Sequence, residues 1–333
     1  MPTRLQSASS RYPGGSGPAV AAPGSYQGTF IPEIWSMKLL EKFYDATVLA
    51  GISNTDYEGE IRNQGDTVII RQRPDITIRD YEPDSELLVE RPNADTTQFM
   101  IEYAKYFNLV VDDVWATQAD MDMMAMWSQD AAEQIKVDID RQMMREVFLG
   151  GAIASNRGAT AGRISESVNL GATGTPRLVV PRDADPTAAA EIEVLDLIVD
   201  MGLVLDEQNI PENGRWIVLP AWMIAMLKKS DLRKANEMGD PNSVLRNGRV
   251  GRIDRFDIYS SNQLPQGTAG GLAAGEWSVF AGHNMAVTFA TQINKLENMR
   301  SERTFGSLMR GLFVFGCDVI NPIGLSQAIV ARP

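Results

Sequence analysis

Apolar positions recur along this chain with two different periods, and the changes of period mark out its parts. Residues 31–49 (IPEIWSMKLLEKFYDATVL) place Ile34, Leu39, Leu40 and Phe43 on one stripe, with Pro32 suited to a first helical turn, and predict a helix. Across residues 65–92 the period drops to two. Val68 and Ile70 face one way and Thr67, Arg71 and Arg73 largely the other, which reads as strand. Alternation returns over residues 98–111 (QFMIEYAKYFNLVV), with Phe99, Ile101, Tyr103 and Phe107 on one face. These two stretches predict a hairpin whose tips fall at Pro83, Pro92 and the polar run 93–97. Residues 119–149 then carry the longest helical signal, free of Gly and Pro, and Gly150 and Gly151 end it. Met124, Trp127, Ala131, Ile135, Ile139 and Met143 recur there at spacings of three and four. Such a helix spans about 45 Å and reads as a structural spine.

The second half alternates shorter elements. Residues 151–186 look like loop, closing on Asp183-Ala-Asp185-Pro186 as a capping signal for a helix over 187–208. Ile192, Leu195, Val199 and Gly202 or Leu203 are its expected buried stripe. RWIVLP (215–220) predicts a buried strand running into a helix at AWMIAMLKKSDL. FDIYSSNQLP (256–265), WSVFAG and MAVTFA (around 277–290), GLFVFGCDVI and LSQAIVA (within 310–331) predict further strands. The whole is an α+β pattern without internal repeat.

Composition narrows the function. With 333 residues, 44% of them hydrophobic, the chain can build one large or two medium domains with real cores. No apolar run approaches the roughly 20 residues of a membrane helix. Residues 1–28 are rich in Gly, Ser, Pro and Ala, lack an apolar h-region, and read as a flexible arm on a soluble protein made in the cytoplasm. The net charge of -12 argues against a sequence-nonspecific nucleic-acid binder, which needs clustered Lys and Arg. One cysteine, Cys317, and one histidine, His283, exclude an intrachain disulfide and Cys/His zinc sites within one chain.

Candidate chemistry is sparse. The pairs Asp112-Asp113, Asp120-x-Asp122 and Asp183-x-Asp185 complete no calcium loop. The glycines at 158–162 and 171–174 match no phosphate-loop pattern, and no GxSxG accompanies His283. Methionines 121, 123, 124, 126, 143 and 144 fall at helical spacing and read as core or interface packing. Arg300, Arg303 and Arg310, interleaved with Glu297 and Glu302, read as ion pairs with a neighbouring surface. No catalytic, cofactor or metal residues are assigned. The predicted hairpin is different: four arginines (Arg71, Arg73, Arg79, Arg91) sit among seven acids (Asp66, Asp75, Asp80, Glu82, Asp84, Glu86, Glu90). A hairpin too charged to bury itself is marginal alone and becomes useful when another subunit covers it.

At this point the chain resembles the major capsid proteins of tailed bacteriophages. The match is carried in order by IPEIWS (31–36), DATVLAGISNTDYEGEI (45–61), GDTVIIRQRPDITIRDYEP (65–83) and EYAKYFNLVVDD (102–113). It continues through RWIVLPAWM (215–223), FDIYSSNQLP and AGHNMAVTFATQI (281–293). The resemblance implies the α+β fold shared by tailed-phage coats and the herpesvirus capsid floor. It would comprise an N-terminal arm at 1–30, an extended loop at 61–106, a peripheral domain at 107–160 and 285–315 with its spine at 119–149, and an axial domain at 160–284 and 316–333. It also implies a shell of hexamers and pentamers around double-stranded DNA, a separate scaffolding protein and a portal, with no membrane, no cofactor and no sequence-specific DNA contact. Arg71, Arg73, Arg79, Asp80, Glu82, Asp84, Glu86, Arg300 and Arg303 are the expected inter-subunit contacts. An encapsulin-like nanocompartment shares the fold, and a hydrolase using His283 is the rival of another class.

Overall fold

The period-two stretches of the sequence form three sheets. The computed structural model describes residues 47–56, 67–71, 74, 76–80, 89–92, 96–113, 123–181, 190–228, 252–268, 271–302 and 304–333. The arm at 1–30, the helix expected from 31 to 46 and the Asp183/Asp185 pair lie outside the described residues. The chain runs through α1 (Leu49–Ile52), β1 (Thr67–Arg71), β2 (Thr96–Met100), β3 (Tyr103–Asp112), α2 (Met123–Met143), β4 (Arg177–Val180) and β5 (Glu191–Glu193). It continues through α3 (Val194–Glu207), β6 (Arg215–Leu219), a helix α4 over residues 221–228, β7 (Arg252–Ile253) and β8 (Phe256–Ser260). The last strands are β9 (Glu276–His283), β10 (Val287–Arg300), β11 (Gly306–Val319) and β12 (Leu325–Ala331). β1 pairs with β2, β10-β11-β3 form an antiparallel sheet, and a seven-stranded sheet has the order β5-β4-β12-β9-β6-β8-β7.

The expected single strand over 98–111 is two strands in two sheets. β2 pairs with β1 and β3 with β11, and the chain breaks register at Ile101 and Glu102. The cause is Gly316 of β11, where an added Cβ would stand 2.6 Å from the Met100 carbonyl oxygen, so the strands cross there in backbone contact. The spine helix α2 ends in five residues of π-helix, Met144–Phe148, and Gly150 follows with φ 84. The helix expected over 187–208 begins at Val194, because β5 takes its first turn as a parallel partner of β4. Its buried stripe is Val194, Leu197, Ile198, Met201, Val204 and Leu205, while Val199 and Leu203 face outward. The expected phase was anchored on Ile192, a strand residue, and so was rotated by about one position. Residues 177–180, expected as loop, form β4.

Strand β6 shows how alternation builds two cores from one sheet. Ile217 and Leu219 pack with α3 and α4 on one face. Trp216 and Val218 pack on the other with Met143, Met144 and Phe148 at the end of the spine, Phe315 and Cys317 of β11, and Phe280 of β9. Phe148 anchors that second cluster, stacked on Trp216 at 6.1 Å and edge-on to Phe280 at 5.6 Å. All five residues of β6 are buried, which is why RWIVL reads as an unbroken apolar run rather than an alternation.

Residues 150–176 are irregular, yet they are stitched to β12. Asn156 donates from Nδ2 to the Ile323 and Leu325 carbonyls at 2.7 and 3.0 Å, and accepts from Gln208 Nε2 at 2.9 Å. Gly171, at φ 79, lies directly against the Ile329 carbonyl. That close backbone approach, with Ile329 N donating to Leu170 O, accounts for a glycine that binds no phosphate. Gly311 has a comparable duty on β11: the Phe107 ring lies across it from β3, where any Cβ would collide. Gly311→Ala is expected to displace that ring and cost roughly 1–3 kcal/mol, read as a lower urea midpoint with unchanged slope.

Candidate assembly surface

The hairpin is rooted by its apolar face. Phe99 is fully buried beneath Val68, Ile70 and Ile101, with Ala290 of β10 beside it. Its other face is open: Ile69 is exposed, and so is Arg71 at the end of β1. Farther out the two legs meet where Thr77 N and Oγ1 donate to the Glu90 carboxylate at 3.3 and 3.2 Å. Around that crossing Ile76, Ile78 and Val89 project into solvent, the last two at 94% and 90% exposure. Arg79 and Asp80 are exposed beside them. Arg73, Glu82, Asp84, Glu86 and Arg303 lie outside the described residues. The sequence reading weighted the charges and missed these apolar projections. An Ile or Val amid five or six charges, with no core to reach, was the available signal.

The second surface is the three-stranded sheet. Lys105 reaches Asp138 of the spine at 2.8 Å, which sets the inner face. Register then puts Tyr106, Leu312 and Lys295 in one outward row, Asn108, Arg310 and Glu297 in the next, and Val110, Leu308 and Met299 in a third. Tyr106 is 79% exposed, and Val110, Met299 and Leu312 are well exposed too. A shallow cavity of about 390 Å³ opens between the first two rows. Across it Arg310 grips Glu297 Oε2 through Nε at 2.8 Å and Nη2 at 2.6 Å. Those bonds, then the guanidinium charge, hold the Glu297 carboxyl below its ordinary range.

Arg300 is spent within the chain. It forks onto Asp113 at 3.2 and 2.8 Å and clamps the β10–β11 turn to the end of β3. The sequence reading gave Arg300 and Arg310 to a neighbouring surface; both have partners in their own subunit. That turn also presents Phe305 at 84% exposure.

His283 has no free nitrogen for catalysis. Nε2 lies 2.8 Å from the Asn213 carbonyl and Nδ1 accepts from Met285 N at 3.2 Å, which together fix the neutral Nε2–H tautomer. The ring ties the end of β9 to the loop before β6, and the hydrolase reading loses its base. Cys317 is buried in the second core, and burial pushes its thiol far above the ordinary range, so it is chemically inert. Among the described residues no helix is long and apolar enough to cross a membrane.

Two exposed docking faces on a chain without an assembled catalytic site find their counterpart among known proteins. A family model described as phage capsid protein matches residues 96–328. The chain belongs to the phage capsid protein family. A solved structure from Mycobacterium phage Che8 is similar at 25% identity and TM-score 0.68, covering 90% of this chain and 97% of that one. The capsid structure of the cyanophage P-SCSP1u is similar at 14% identity and TM-score 0.67, covering 91% and 94%. The mature capsid of bacteriophage PhiM1 follows at 14% and 0.65, covering 90% and 91%. No curated protein matches. This capsid protein forms the head shell of a phage, as a homo-oligomer within the virion, and its α+β fold is that of phage coats.

Proposed function

We propose that the shell closes by hairpin-to-sheet docking between copies. The observation that carries this reading is the pair of unspent surfaces on one chain: Ile76, Ile78 and Val89 on the hairpin, and the rows of Tyr106 and Val110 on the sheet. The projecting residues of one capsid protein seat on the outward rows of its neighbour. Arg71, Arg73, Arg79, Asp80, Glu82, Asp84 and Glu86 set register around that apolar contact, facing Lys295 and the Arg310–Glu297 pair. Arg300 and Arg303 flank the turn that carries Phe305 and meet a further copy.

The arm at 1–30 reaches a second neighbour. The peripheral domain (107–160 and 285–315) carries the docking sheet, and loops of the axial domain (160–284 and 316–333) gather around hexamer and pentamer axes. Each contact can be weak, because a closed icosahedral shell makes many at once. An acidic lining lets packaged double-stranded DNA slide without sticking. The protein is made in the host cytoplasm, performs no catalysis, and assembles with a separate scaffolding protein and a portal.

Negative-stain electron microscopy and sedimentation of the purified protein test this reading. Closed shells, tubes or capsomer rings are expected at high concentration, alone or with the neighbouring genes co-expressed. A monomer at every concentration and salt, even with those genes, would sink it.

A further inference from the structure

The strap of residues 47–54 joins the first 46 residues to the hairpin, and it is tied down at three points. Asn54 bridges Thr288 of β10. The Tyr259 hydroxyl donates to the Gly51 carbonyl at 3.4 Å. At the start of α1, Val48 N and Leu49 N donate to Asp140 Oδ2 and Oδ1 at 2.6 and 3.4 Å. Val48 makes no side-chain cap of its own, so a spine-helix carboxylate 92 positions away satisfies the first amides of α1.

The residue type is the unexpected part. Asp140 is 3% exposed, and no lysine or arginine among the described residues acts on it. Two amides hold its charge, and burial outweighs them, raising the carboxyl from 3.8 to about 6. An asparagine would keep an acceptor for Val48 with no charge to desolvate. The surrounding elements offer no counter-charge. α1 contributes Val48, Leu49 and Ile52, the spine Met143 and Met144, β9 Phe280 and β10 Val287. β11 contributes Cys317, the one titratable group that couples to Asp140, and its thiol stays neutral.

We propose that Asp140 is a latch built to be weak: its unpaired buried charge lets the strap lift at neutral pH, and protonation holds it down. The strap sets where the first 46 residues leave the subunit, so the latch governs that departure point. The sign follows from proton binding. With the strap closed the carboxyl takes its proton near pH 6; with the strap lifted and the carboxyl in water, near 3.8. The closed form binds more protons across that window, so closure strengthens as pH falls through it and is weakest above it. The argument concerns a single chain and does not rest on the docking reading.

Hydrogen exchange of the full-length chain, corrected for intrinsic rates, tests it. Protection of the amides of residues 48–52 is expected to rise about tenfold from pH 7.5 to pH 5, one unit of protonation below a midpoint near 6. In Asp140→Asn that dependence should vanish, with protection at pH 7.5 at least equal to the acid value of the parent. Flat or falling protection in the parent on acidification would overturn the proposal. So would an Asn variant that is less protected at pH 7.5 or fails to fold, since the charge would then be a net stabiliser.

Discussion

A chain lacking residues 73–93 is expected to fold as the parent does and to form no closed shell. The three core clusters contain no residue from that span. Phe99 keeps its cover from Val68 and Ile70, because both legs of the hairpin root are retained. Shortening an exposed loop changes closure entropy by well under about 1 kcal/mol. Thermal unfolding should therefore move little. Assembly should fail outright, since the deletion removes Ile76, Ile78 and Val89 from every copy and the loss is multiplied around the shell. Microscopy and sedimentation read the result, and intact shells from the deletion would end the hairpin's role. The triple change Ile76→Ser, Ile78→Ser, Val89→Ser separates the apolar contribution from the charges: the docking reading expects it to match the deletion.

The largest stability loss is expected from Asn156→Ala. Asn156 is fully buried and makes three side-chain hydrogen bonds, two to the carbonyls of residues 323 and 325 and one from Gln208. Truncation strands two carbonyl oxygens in the core, and Gln208 keeps only its contact with Ser155. At about 1–3 kcal/mol for each orphaned group, the loss is about 3–5 kcal/mol. Differential scanning calorimetry should show a melting point lower by on the order of 10 °C. Asn156→Asp makes a sharper comparison: a carboxylate cannot donate to those carbonyls, so it should be no better than alanine at neutral pH. A variant within about 1 kcal/mol of the parent would mean that the network contributes little.

Strands and helices were legible where one period ran undisturbed. Residues 215–219 and 325–331 were placed as strands because their apolar runs are short and bounded. The spine was legible because nothing from 123 to 143 breaks a helix. What failed were changes of partner. Residues 98–111 keep one alternation through the crossing at Ile101, so periodicity cannot reveal that half pairs with β1 and half with β11. Glu191–Glu193 reads as helix by continuity with α3, and only pairing to β4 makes it strand. For the docking surface, charge drew attention to Arg79 and Asp80, while the geometry adds Ile78, Val89 and Tyr106. Ion pairs were the least legible. Arg300 meets Asp113 across 187 positions, a distance at which sequence carries no pairing signal.

The place of β12 has a consequence for synthesis. It lies between β4 and β9 in the interior of the seven-stranded sheet, buried along its whole length, although it is the last strand made. Until residue 331 has left the ribosome the sheet is in two pieces, with two raw edges and no completed core. Nascent or prematurely terminated chains therefore cannot present a finished subunit. A coat built from many identical parts is spoiled by a few defective ones, and this order of strands screens out truncated products before they can join a lattice.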